Sequence, residues 1–527
     1  MRKTLLAVLG VTLLGAMPLY AQRTTGGIVG TVRDASGAVL PGVAVSLTGA
    51  TVVGTQTATT NEEGFYRITN LPPGTYDLSY TLAGFRTVAR KGLRVNVGLT
   101  LEENASLEVS QREEQVEVVA EAPVVDTQSS EVGANYDRQW VENAPLRRFS
   151  FLDLVAAAPG SQQTEDGSGR TMVYGSSYDE NSFQLDGVDI TENYFNEYQA
   201  EPNTDAIEEV EVLSLGAPAE YGNLAGAVYN IVTRQGTNEF HGDVNFFLQT
   251  NGLTSNNSDG LINPDGTFVN ACSTGVGRCP WTRDKYNDFT AQLGGPILKD
   301  KLFFFSAYQG TRTRQTPPSF IAFVPTAAMM AGDFTAYAAP ACNAGRQIAL
   351  RAPFVNNRID PSSFSRPAVL VAQHLPTATD PCGQINYSVP LDNNDKQYVT
   401  RVDYQVSANH TVFGRYIDTF ERRLPTLSRT GNVLTVRREF GANKRARAQS
   451  SAFGDTLVLG ANMVNSFRVT WNRTSNHLND PPDEFFDAPD LGIKLHTYVP
   501  GVIGIAVTNA FTISGGNSVK VRLANES

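Results

Sequence analysis

Histidine and cysteine are scarce: the 527 residues hold five His and four Cys. That leaves little material for a multi-histidine metal centre or a thiol nucleophile, and no metal site is expected. No His is followed three residues later by Glu, and neither HExxH nor GxSxG occurs, so the exported-hydrolase signatures are absent. Blocks of Lys and Arg are missing too. With 42 Lys and Arg against 53 Asp and Glu, the net charge is −11, which argues against a nucleic-acid partner. Beyond the N-terminus no apolar run approaches the ~18 residues that mark a membrane-spanning helix. Barrel strands alternate and escape that test. No catalytic residues and no cofactor are expected.

What is present points outward from the cell. The chain opens on "MRKTLLAVLGVTLLGAMPLYAQ": Arg2 and Lys3, a short apolar core, then a small residue at Ala21. That is the build of a cleaved signal peptide over residues 1–21. The length suggests three or more units, and 46 Gly and 27 Pro suggest many turns. From residue 26 to 110, β-rich runs recur every 8–12 residues between turns such as Asp34-Ala35-Ser36-Gly37 and Pro72-Pro73-Gly74. Val43, Val45 and Leu47 alternate with small or polar neighbours, and so do Tyr76, Leu78, Tyr80 and Leu82. Period-2 alternation buries one face of each strand, and about seven strands of this kind predict a β-sandwich.

Next comes "QREEQVEVVAEAPVVDT", residues 111–127. Val116-Glu117-Val118-Val119 alternates without an obvious partner strand nearby. It reads either as a linker or last sandwich strand, or as an exposed strand that pairs with another protein's sheet edge. Residues 137–157 carry helical signals, with Ser150 as a candidate cap. From Tyr178 to Glu211 stand eleven acidic residues and no Lys or Arg, a pattern that usually marks a solvated face. Asp186-Gly187-Val188-Asp189 lies in this run, but its spacing is not that of a calcium loop. Then "AEYGNLAGAVYNIVTRQG" removes side chains at Ala219, Gly222, Ala225 and Gly226 just before an apolar run. Small residues let two backbones approach closely, so Val228 and Ile231 are expected in a compact sheet wedged inside something narrow.

From Glu239 onward, roughly ten strand-like segments alternate. Val244, Phe246 and Leu248 share a face; Phe467, Val469 and Trp471 oppose Arg468, Thr470 and Asn472; Val402, Tyr404 and Val406 oppose Arg401, Asp403 and Gln405. "KLFFFSAYQGT" adds an aromatic cluster of the sort found in barrel girdles. Short turns at one end and long segments at the other describe an outer-membrane barrel in contact with lipid. Cys272 and Cys279 bracket a loop-like stretch, while Cys342 and Cys382 sit in a long insertion. An even count in exported loops suggests two disulfides in preference to zinc.

Certain segments carry a resemblance. "GTVRDASGAVLPGVAVSL" and "TNEEGFYRITNLPPGTYDLSYTLAGF" are similar to the carboxypeptidase-regulatory-like domain, a non-catalytic module. "FLDLVAAAPG", "FQLDGVDIT", "IEEVEVLSLGAPAEYGNLAGAVYNIVTRQGTNEFHG" and "DFTAQLGGPILKDKLFFFSAYQGTR" resemble Oar-like TonB-dependent outer-membrane receptors. The resemblance implies a mainly β chain: signal peptide 1–21, sandwich 22–110, TonB-box-like linker 111–127, small α/β plug 128–237, and part of a transmembrane antiparallel β-barrel over 238–527. It implies that Val116, Glu117, Val118, Val119 and Ala120 pair with TonB, whose inner-membrane proton-motive complex would displace the plug. An unidentified extracellular substrate would then pass inward. Asp186, Gly187, Tyr221, Gly222, Gly226 and Asn230 carry the plug signature. The chain departs from the family pattern at Leu146-Arg147-Arg148-Phe149 and Ala225-Gly226. A plugged barrel needs about 22 strands, and the chain ends in "VRLANES", so a C-terminally truncated piece is expected. The rival reading is a non-transporting surface or adhesion protein that binds through its sandwich and loops.

Overall fold

Alternation alone accounts for most of the first domain. The computed structural model describes residues 24–52, 54–109, 115–119, 132–144, 151–163, 171–191, 200–217, 221, 226–253, 285–315, 320–373, 375–387, 391–407, 409–423, 444–459, 463–478, 488–495, 505–508, 510–513 and 522–526. The leader 1–21, Ser150, Ala120, Gly222, Cys272 and Cys279 lie outside these residues. Two sheets face each other near the N-terminus. One pairs β4 (Phe65–Leu71) with β1 (Gly26–Asp34), which also takes β7 (Thr100–Glu102) and β8 (Ala105–Leu107) in parallel. The other runs β3 (Gln56–Thr59), β2 (Ala44–Gly49), β5 (Gly74–Thr81), β6 (Thr87–Val95) and β9 (Gln115–Val119). Val43, Val45, Leu47, Tyr76, Leu78 and Tyr80 fill the space between them, and Leu82 packs at the margin. Tyr66 and Tyr80 share a hydrogen bond of 2.8 Å inside, so neither buried hydroxyl is orphaned.

Of the readings left open for Val116–Val119, the last strand of the sandwich is the one seen, and the segment does have a partner: β9 pairs in parallel with β6, from Thr87↔Gln115 to Lys91↔Val119. Nothing local in sequence announces such a pairing, because a parallel partner must be brought from outside the hairpin.

The second unit is a five-stranded sheet ordered β10 (Val132–Asp137), β15 (Ile207–Leu215), β16 (Val228–Thr233), β13 (Ser182–Leu185) and β14 (Val188–Asp189). A small hairpin of β11 (Ser161–Gln163) and β12 (Thr171–Val173) and the helices Arg138–Asn143 and Phe151–Val155 complete it. Asp137 caps the first helix through the Trp140 N–H at 2.8 Å. β16 lies in the middle of the sheet and is buried along its whole length, which is why it reads as a continuous apolar run.

The third unit is an antiparallel sheet in strict sequence order: β17 (His241–Thr250), β18 (Lys285–Leu298), β19 (Leu302–Gln315), β22 (Leu391–Ser407), β23 (His410–Arg423), β24 (Lys444–Leu459), β25 (Met463–Leu478) and β28 (Arg522–Glu526). Among the described residues eight strands form this wall, where the sequence suggests roughly ten strand-like segments after Glu239. Two further pairs form two-stranded sheets of their own: β20 (Phe320–Phe323) with β21 (Gln384–Tyr387), and β26 (Ile505–Val507) with β27 (Phe511–Ile513). Among the described residues β17 and β28 are the two ends of the sheet, which forms an arc and does not close into a barrel. At one end no more than three residues separate β18, β22 and β24 from the start of the next strand, and at the other the strands are much further apart in sequence.

The outer face of the arc is apolar. Val244 is 69% exposed and Val469 50%, and Phe246, Phe467, Trp471, Val402, Tyr404 and Val406 share that face. Arg401 and Asp403, their alternating neighbours, are buried on the inner side. The aromatic cluster of β19 departs from expectation: Phe303 and Phe305 are buried on the inner side instead of girdling the outside. Phe305, Ala307, Val399 and Ile417 on the wall join Phe183, Leu185, Tyr229 and Ile231 of the second unit in one apolar core. That unit therefore sits as a plug against the concave face of the wall.

At the long-loop end a satellite core forms. Val324, Val371, Leu375, Leu491 and Phe511 pack together there. A disulfide joins Cys342 to Cys382 beneath it.

Candidate functional site at the plug and wall

The hairpin of β13 and β14 turns on Asp186-Gly187, with φ of 51° and 76°. Two consecutive positive φ values are those of a type I′ turn, for which Asp-Gly is a preferred pair. The turn delivers the Asp186 carboxylate to the wall. Oδ1 accepts from the Thr233 N–H at 2.9 Å and from Arg401 Nη1 at 3.0 Å. Oδ2 accepts from the Thr233 hydroxyl at 2.9 Å and from Arg415 Nη1 at 3.1 Å. Asp186 is 2% exposed. The acidic run is thus not a solvated face at this point, nor at Glu209 and Glu211, which are also buried.

The two arginines stand directly opposite each other, Arg401 on β22 and Arg415 on β23. Like charges at opposed positions of a sheet repel. Arg401 has its own counter-ion, donating from Nε and Nη2 to Asp403 at 3.0 and 2.9 Å, and it stacks 4.6 Å from the Phe413 ring. Among the described residues Arg415 bonds only the Ser450 hydroxyl, at 2.9 Å, besides Asp186. The plug thus supplies the anion that makes this pair of cations tolerable.

Other signature residues build the plug itself. Asn230 donates to Glu211 Oε2 at 2.9 Å across β15 and β16. Tyr221 packs on Leu213 and Val228. Gly226 shows why side chains vanish before the apolar run: a Cβ there would lie 2.5 Å from Asn181 Oδ1 and 2.9 Å from the Glu180 carbonyl. The same Asn181 amide oxygen accepts from the Ala227 N–H at 2.9 Å, which sets the start of β16.

At the short-turn end the sandwich rests on the plug. The Val97 N–H, two residues beyond β6, donates to Glu209 Oε1 at 2.9 Å; Asn135 Nδ2 donates to the same oxygen at 2.6 Å and to the Val97 carbonyl at 3.0 Å. Burial pushes the Glu209 carboxyl up to about 7, against the pull of those two donors. A cavity of about 1110 Å³ opens where the three units meet, with Tyr66, Arg138, Glu208, Arg234, Asp403 and Arg468 among its lining.

Asp186, Gly187, Tyr221, Gly226 and Asn230 are brought into one domain; Val116–Val119 lie on the sandwich, away from them. Arg401 is legible in the sequence only as a residue of the polar face, and Arg415, Thr233 and Glu209 escaped it. A signal existed for the two arginines: they lie at equal sequence distance from the point where β22 gives way to β23. Among the described residues no group of His, Cys, Asp and Glu is arranged to hold a metal, and no helix is long and apolar enough to cross a membrane.

Residues 232–526 match the family described as outer membrane beta barrel domain, and residues 27–108 match the carboxypeptidase regulatory-like domain. The TonB-dependent transporter Oar of Myxococcus xanthus is 33% identical over 58% of the chain, and the chain spans 28% of its length. Among solved structures, the outer membrane transporter YddB of Escherichia coli superposes with a TM-score of 0.43 at 13% identity, covering 67% of this chain and 40% of that one. A ferric enterobactin receptor of Pseudomonas aeruginosa, in complex with enterobactin, gives 0.39 at 12% identity, covering 67% and 42%. With an arc of alternating strands around a plug, and a family match over more than half of its length, the chain belongs to the outer membrane beta barrel domain family, and it is similar to the TonB-dependent transporter Oar.

Proposed function

We propose that the receptor to which this chain belongs takes up a substrate from outside by energy-coupled displacement of the plug. The observation that carries the reading is the seat of the plug: one carboxylate, Asp186, held by Arg401 and Arg415 of two adjacent wall strands. The plug also meets the wall through an apolar patch at Phe305, Ala307, Val399 and Ile417. A buried ion pair at that contact, with the cations on the wall and the anion on the stopper, suits a domain that leaves and returns. The Val116–Ala120 segment would be the grip for TonB, through backbone pairing at a sheet edge. The short-turn end, with the sandwich, then faces the periplasm. No bond is made or broken.

The test removes the grip and follows the medium. Cells carrying the full-length receptor should deplete some solute that cells carrying a Val116–Ala120 deletion do not, and a protonophore should abolish the difference. Depletion that persists in the deletion strain would end the transport reading. The adhesion reading draws on the disulfide-linked satellite core at the long-loop end. It expects cell–cell or cell–surface attachment that the same deletion leaves intact.

A further inference from the structure

The strand proposed as the grip is already a member of a sheet. β9 closes one end of the five-stranded sandwich sheet, held by β6, and among the described residues no strand occupies its outer edge. An edge strand presents about half of its peptide N–H and C=O groups outward, ready for another chain. β9 is short, rich in Val and carries one charge, so little in its sequence blunts that edge.

We infer that the energy-coupling partner adds a strand to the outer edge of β9 while β9 stays paired with β6. This rests on the TonB reading above and says where and how the partner docks. Extraction of β9 would break all five register pairs with β6 before any new ladder replaced them. Edge addition breaks none. It also gives the partner a purchase on the plug. β6 runs on into Val97, whose N–H and carbonyl are held by Glu209 on β15 and Asn135 on β10. Arg94, at the end of β6, pairs with Asp137 at 3.2 Å. Partner, β9, β6 and the plug sheet thus form one hydrogen-bonded line, and the sandwich is the piece that carries the pull.

A disulfide distinguishes addition from extraction. Thr87 and Gln115 are paired at the first position of the ladder and lie outside the proposed grip. Neighbouring strands are about 4.8 Å apart, within the span that a disulfide bridges. The chain carrying Thr87→Cys and Gln115→Cys, in detergent, is titrated with the purified periplasmic domain of TonB from the producing organism, oxidised and then reduced. Edge addition expects equal affinity in the two states, within about twofold. Binding weakened roughly tenfold or more by oxidation and restored by reductant would overturn it in favour of extraction. If the unmodified chain itself does not bind this domain, the TonB reading falls, and the edge proposal with it.

Discussion

Replacing Asp186 by Asn changes the charge of the latch and little else. Asn tolerates the positive φ of this turn nearly as well as Asp, and its amide oxygen still accepts from Thr233. What is lost is the anion between two guanidiniums. Arg401 keeps Asp403, whereas Arg415, whose side chain is 0% exposed, keeps only the Ser450 hydroxyl among the described residues. Breaking a buried ion pair from one side costs ~3–5 kcal/mol, because the remaining charge is uncompensated. Hydrogen exchange on β13, β15 and β16 reads the opening of the plug directly. Their amides should lose roughly 100-fold or more in protection, while those of the sandwich core keep theirs. Adding Arg415→Met to Asp186→Asn should recover most of the loss, since removing both partners of a buried pair is nearly neutral. If Asp186→Asn leaves plug exchange within about threefold of the parent, the latch does not hold the plug and the reasoning fails.

The junction of sandwich and plug should depend on pH through Glu209. A carboxyl held at about 7 against an ordinary 4.5 resists ionisation in the folded state. Stability is therefore greatest below about pH 4.5, falls by ~3 kcal/mol as pH rises to about 7, and stays level above it. Glu209→Gln should flatten that profile in thermal melts; an unchanged slope would assign it to another group. Removing the Cys342–Cys382 bridge by serine substitution frees a 40-residue separation and should cost the long-loop subdomain about 4 kcal/mol by loop entropy. Proteolysis within residues 320–387 should accelerate while the wall strands remain protected. Gly226→Ala puts a methyl group where Asn181 and Glu180 already stand, and should lower plug stability by ~1–3 kcal/mol, detectable as a shifted denaturant midpoint; a neutral result would mean that the Asn181 turn gives way.

Much of this architecture is written locally. Val43, Val45 and Leu47 declare a half-buried strand by their spacing, and they point into the sandwich core. Val402, Tyr404 and Val406 likewise declare the lipid face, and Arg401 and Asp403 the inner one. What could not be read depends on chain brought from far away. β9 lies against β6, and a parallel partner leaves no turn sequence between the two. Phe303 and Phe305 look like girdle aromatics until the plug arrives behind them. The acidic run is the clearest case: Asp186 and Glu209 are charged residues in a stretch without cations, and their partners come from β22, β23 and the sandwich. Charge pattern within a segment cannot show a counter-ion that arrives from another domain.

The opposed arginines on β22 and β23 also have a consequence for timing. Under the proposed function, departure of the plug would leave two facing cations on that part of the wall with a single carboxylate, Asp403, beside them. Such a wall would be uncomfortable when empty and would relax only when Asp186 came back. The latch would then act as a return spring: the same charges that resist departure would draw the stopper home, and a passage would stay open only for as long as something pulled.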